Sequence, residues 1–212
     1  MHTRHAYRVP ALTAMLAAIV MALAPVAQAT KLRPQNLTQL IAESDSIIAG
    51  VVRSVTDGID EKGVPYTEVT ILVSDAAKGS VQKDAEYTFR QFGLLKPRTM
   101  PNGRQYIAIS PAGFPRWQRG ESVVAFLYKP AAHTGLQTTA GMAQGKLTLI
   151  NGQLANEFGN AGLFDGVEID PRRLTAADQE MLNSSGAVDA ATFMSLIGRA
   201  VDGRWVETGE MR

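Results

Sequence analysis

Strand-like apolar patterns dominate the middle of this chain, and a helical spacing of apolar positions is confined to its ends. Residues 46–55 are rich in Ile and Val on both faces, as a strand covered on both sides would be. Gly50 in their middle marks a bend, a bulge or a close backbone approach. Residues 65–76 alternate, with Thr67, Val69, Ile71 and Val73 on one face and Glu68, Thr70 and Ser74 on the other. That pattern predicts a half-buried strand, ended by Lys78-Gly79. Residues 86–92 read as a further strand with Tyr87 and Phe89 on one side, and 105–109 and 136–139 as short ones. Residues 121–129 are strongly apolar and read as a central strand. Residues 146–150 and 153–156 flank Asn151-Gly152, a strong hairpin signal because both turn residues must take positive φ. Turns are expected at 57–63, over 94–104 with Pro97, Pro101 and Asn102-Gly103, and over 110–120 with two Pro and two Gly.

Helical signals are few. Asn36 or Thr38 can cap a short helix over 37–42 that turns Leu37, Leu40 and Ile41 inward. Thr175, with Asp178 three residues on, can open a second helix reaching 182. A third runs from its N-cap Asp189 to 201, with Phe193, Leu196, Ile197, Ala200 and Val201 in one stripe and Gly203 as its stop. Residues 204–212 read as a frayed, flexible tail. About seven short strands followed by helices predict a mainly β, antiparallel barrel or sandwich with a helical appendage. The expected division is residues 30–158 as the barrel and 159–203 as a helical segment packed on it.

Residues 1–29 form the pattern of a Sec-type signal peptide. Arg4 and Arg8 precede an uncharged apolar run over 11–24, then Pro25 and the small-x-small Ala27-Gln28-Ala29. The run falls short of the roughly 20 residues that span a bilayer, and cleavage after Ala29 is expected, giving a soluble periplasmic or secreted protein. A retained N-terminal anchor is the competing reading. No other apolar run is long enough to span a membrane.

Composition then excludes chemistry. Residues 30–212 hold 19 basic and 20 acidic side chains, so the total charge offers no footprint for nucleic acid. There is no Cys, which removes disulfides, thiol nucleophiles and Cys-based metal or redox sites. Of three His, only His133 lies beyond the signal peptide; one His does not make a zinc site, and no G-x-S-x-G elbow supplies it a serine. It reads as a solvated loop residue. Ser80-Val81-Gln82-Lys83 matches S-x-x-K, but its S-D-N and K-T-G partners are missing and the segment links two strands. Asp57, Asp60 and Glu61, and again Asp165, Glu168 and Asp170, are acidic groups in turns without EF-hand spacing, and read as solvated tips. No metal and no cofactor is expected. Asn36-Leu37-Thr38 and Asn183-Ser184-Ser185 match glycosylation sequons by chance in a chain whose leader has a bacterial character.

Four pieces in order carry a resemblance: Ser44-Asp45 with Ile48, Gly50 and Val52; Tyr66-Thr67 with Val69, Ile71, Val73 and Lys78-Gly79; Phe114-Pro115 with Gly120-Glu121, Val123 and Phe126-Leu127; and Gly141 with Gln144-Gly145, Leu147 and Leu149. Over 37–150 the chain resembles uncharacterised exported bacterial proteins with an OB-like core, and its opening is similar to the first strands of netrin-type domains. The resemblance implies a partly open OB-like barrel. The missing Cys puts protease inhibition through an N-terminal Cys on zinc out of reach.

The expected function is an exported, non-catalytic binding or accessory protein of the cell envelope, with a protein or surface glycan as partner and no nucleic acid. The alternatives are a hydrolase working through carboxylates alone, or a structural envelope component. The candidate binding residues are Phe114, Pro115, Arg116, Trp117 and Arg119, because aromatics on a Pro/Gly-braced loop are common anchors. The competing reading is that these aromatics plug one end of the barrel.

Overall fold

The computed structural model describes residues 33–212; the expected signal peptide lies outside the described residues. Helix α1 (Leu37–Glu43) is capped by Asn36, whose side chain accepts the Gln39 amide while Gln39 reaches back to the Asn36 amide. Strands β1 (Ser46–Ile59), β2 (Pro65–Lys78) and β3 (Glu86–Phe92) follow as an antiparallel meander. A small arm holds β4 (Arg98–Thr99) and β5 (Gln105–Tyr106). Then come β6 (Ser122–Leu127), β7 (Lys146–Ile150) and β8 (Gln153–Ala155). Helix α2 (Ala176–Leu182), the two-residue strand β9 (Val188–Asp189), α3 (Ala190–Asp202) and α4 (Trp205–Thr208) complete the chain.

Seven strands make one antiparallel sheet in the order β3-β2-β1-β6-β7-β8-β9. Adjacent residues of a strand point to opposite faces, so the centre of the sheet feeds two cores. Ile47, Val124, Phe126, Leu147 and Leu154 pack under α1 and α3, against Leu40, Phe193, Leu196 and Ile197. Ile48, Val52, Val69, Ile71, Val73, Val123, Ala125 and Leu127 face the other way, with Phe89 and Trp117. This explains the apolar residues on both faces of the first strand. Gly50 sits at a register shift, and a Cβ there would lie 2.2 Å from the Leu72 carbonyl oxygen, so bulge and close approach coincide.

The ladders leave the sheet as an open row. Residues 136–139 form isolated bridges with it, parallel at Arg90–Leu136 and antiparallel at Leu127–Thr139, supported by the Gln137 amide donating to the Arg90 carbonyl at 2.7 Å. The hairpin at Asn151-Gly152 has φ of 50° and 80°, as its sequence requires.

Three expectations are corrected. The first turn is shorter than 57–63: β1 runs to Ile59, and the turn is built on Asp60, whose Oδ1 accepts the Lys62 and Val64 amides. The loop at 94–104 contains β4 and opens a hairpin. Gly203 does close α3, at an ordinary φ of −80°; a Cβ there would lie 2.3 Å from Trp205 Nε1, and Arg204 takes the positive φ. Residues 204–212 are no flexible tail: Trp205 and Met211 are buried in the helix-side core, and Met211 bridges to Ile169. Two guanidiniums, Arg173 and Arg199, stand 5.9 and 5.8 Å from the Trp205 ring centre. Among the described residues no helix is long and apolar enough to cross a membrane.

Candidate binding site

The loop over 110–120 has no regular structure, and its backbone is nonetheless held from several sides. The Ala143 amide donates to the Gly113 carbonyl at 2.8 Å, Gln91 Nε2 to that of Pro115 at 3.1 Å, and Lys146 Nζ to that of Arg116 at 2.6 Å. Gly120 donates to the Val52 carbonyl at 2.8 Å, returning the chain to β1. The loop is therefore a strut, fixed where its carbonyls meet side chains rising from β3 and β7.

Trp117 is 7% exposed and belongs to the second core. Its ring meets Phe89 edge-on at 5.3 Å between centroids, and Nε1 donates to Gln91 Oε1 at 3.3 Å. Lys146 Nζ lies 5.2 Å from the ring centre and pairs with Glu121 Oε2 at 2.6 Å. Of the five candidate residues, Trp117 and Pro115 are buried, Phe114 is half-buried, and Arg116 and Arg119 are exposed. Trp117 is thus a core side chain with little open face for stacking a ligand, whereas Phe114 belongs to neither core.

The strut separates two clefts. One, of about 360 Å³, lies between it and the arm; Val55, Thr67, Gln91, Leu95, Ile109 and Arg116 are among its walls. The other, of about 520 Å³, lies on the far side, where Arg116, Glu121, Lys146, Ile150 and Asn156 contribute. Both share Pro115, Arg116 and Gln118.

The arm was not legible as a site from its sequence. Its base is set by Gly93, whose φ is 138° and whose Cβ would come within 2.7 Å of the Ile109 carbonyl oxygen. It is clamped by Asp57, whose carboxylate accepts the Leu95 amide at 2.8 Å, the Lys96 amide at 3.1 Å and the Arg98 guanidinium. Burial raises the Asp57 pKa, but these donors outweigh it and hold the carboxyl below the usual Asp value. The arm leaves aliphatic side chains in solvent: Ile107 is 72% exposed, Leu95 50% and Ile109 40%. The usable sequence signal was the Ile107-Ala108-Ile109 run between two Pro-bearing loops.

Three carboxylates of the acidic turns are engaged inside the fold. Asp57 serves the arm and Asp60 its own turn, while Arg172 beside Asp170 holds that carboxyl down at about 2. Among the described residues no three His, Cys, Asp or Glu side chains gather as metal ligands would. His133 is exposed in its loop, and Ser80 to Lys83 link β2 to β3. No protein-family model, curated protein or solved structure matches the chain.

Proposed function

We propose that this chain is an exported, non-catalytic binding protein of the cell envelope, and that its partner is a protein seated in the cleft between arm and strut. The observation that carries the reading is the pair of exposed aliphatics, Leu95 and Ile109, on that cleft's walls. Contiguous exposed apolar side chains are costly in a free monomer and mark contact surfaces. They stand on supports fixed by Asp57 and by the strut, so little ordering is lost on binding. A glycan partner would favour an open aromatic face, and Trp117 is turned inward.

An OB-like, partly open barrel remains our reading of the sheet. It is supported by the bridges of residues 136–139, which connect β3 to β6 on the side away from β1. The likeness to exported OB-like or netrin-like proteins is consistent with that strand path, and export rests on the pattern of residues 1–29.

The test immobilises residues 30–212 and passes over them the extracytoplasmic extract of the host. A saturable protein partner, lost with Ile109→Asp and retained with Ile150→Asp on the other cleft, is the expected result. A blank with the unsubstituted protein overturns the binding reading.

A further inference from the structure

The near-neutral total charge conceals a strong segregation. Residues 87–120 contain six basic side chains and not one acid, whereas the remaining described residues hold 12 bases and 20 acids. This stretch is β3 after Glu86, the arm and the strut. Two of its cations are neutralised inside the fold, Arg90 by Glu68 and Arg98 by Asp57. Lys96, Arg104, Arg116 and Arg119 are exposed, and among the described residues none of them has a carboxylate partner within salt-bridge distance. Arg116 lines the arm–strut cleft, Lys96 follows Leu95 on its lip, and Arg119 follows the lining residue Gln118.

Building on the binding reading above, we infer that the occupant of this cleft is an acidic segment of a partner protein that also carries aliphatic side chains. Unpaired cations around an apolar centre complement a ligand with carboxylates around an apolar anchor. Such a rim steers association and rejects basic partners. An anionic membrane surface shares the charge but not the shape. A membrane-inserting hairpin carries its apolar residues at the tip, and here the tip is Asn102-Gly103 while Leu95 and Ile109 flank a concave cleft at the base. The concavity selects a protruding side chain rather than a flat surface.

The probes are short soluble peptides titrated into residues 30–212 and read by fluorescence anisotropy: alternating Glu and Leu, alternating Lys and Leu, and alternating Glu and Ser. Saturable binding of the Glu/Leu peptide alone is expected. Lys96→Glu with Arg119→Glu should weaken it at least about tenfold, and Ile109→Ser, on the cleft wall, should weaken it comparably. Lys83→Glu, the same charge change on the exposed β2–β3 connection, should leave it unaltered. Circular dichroism confirms that each variant is folded. Equal binding of the Lys/Leu peptide, indifference to both sets of substitutions, or preferential binding to phosphatidylglycerol vesicles overturns the inference. If the host partner is captured as above but resists salt and charge reversal, the acidic segment is wrong while the binding reading stands. A blank in that capture sinks the binding reading itself.

Discussion

Replacing Trp117 with Ala removes the side chain that closes the second core. A buried aromatic withdraws roughly 150–250 Å² from water, worth about 4–6 kcal/mol at ~25 cal/mol per Å². Measured truncations of this kind fall at about 3–5 kcal/mol because the site partly collapses. Collapse is opposed here, since the Pro115 and Arg116 carbonyls are held by Gln91 and Lys146. The expected loss is therefore about 4 kcal/mol, or roughly 10 °C in Tm for a domain of this size. Trp117→Phe keeps the ring body and deletes the bond to Gln91, so about 1 kcal/mol should go. Arg116→Ala, beside it and exposed, should stay within about 0.5 kcal/mol. Urea unfolding followed by far-ultraviolet circular dichroism reads all three. In Trp117→Ala the fluorescence of Trp205, then the only tryptophan, is an independent probe in the opposite core. A loss below about 1 kcal/mol for Trp117→Ala with an unchanged m-value would refute the core role of Trp117.

Glu121→Gln leaves the Lys146 ammonium buried without its anion and should cost about 3 kcal/mol in urea unfolding, whereas Lys146→Met combined with Glu121→Leu should recover most of that. Burial raises the Asp178 pKa, but hydrogen bonds from Thr175 and from Arg199 prevail and hold it below the usual Asp value. Its contribution is therefore complete above the unfolded value of about 3.9 and lost as pH falls through the lower folded value. Asp178→Asn should cost about 2 kcal/mol at neutral pH, and thermal melts should show the difference fading towards the acid end. Truncation after Gly203 removes Trp205 and Met211 from the helix-side core and should destabilise by roughly 4 kcal/mol or more; an unchanged Tm would mean the tail is peripheral. Asp57→Asn should speed hydrogen exchange at the Leu95 and Lys96 amides at least about tenfold, because a charge-assisted acceptor is lost.

Features set by neighbours in sequence were legible. The caps Asn36, Thr175 and Asp189, the Asn151-Gly152 hairpin and the Gly50 bulge all follow from local backbone chemistry. Features set by distant partners were not. Whether Trp117 faced in or out depended on Gln91 and Lys146, neither of which lies near it in the chain. The burial of Met211 depended on a bridge to Ile169, and nothing in residues 204–212 announces it. The arm was hidden for another reason: its strands are two residues long, too short for alternation to register, and the glycine that shapes it reads as an ordinary turn residue. The charge segregation was present in the letters, but the near-zero total masks it.

The contact between β1 and β6 joins Gly50 to Val123 and Ile47 to Phe126, with β2, β3, the arm and the strut all intervening in sequence. Hairpins such as β1–β2 and β7–β8 close short loops and can form early, but this central seam must close a long one before either core is complete. Its formation should therefore be the slow step of folding, with Val124→Ala lowering the refolding rate more than it raises the unfolding rate in stopped-flow experiments. Until that seam closes, the apolar β6 segment lacks its β1 partner and shows an open edge, and a newly made chain is most open to aggregation over that interval.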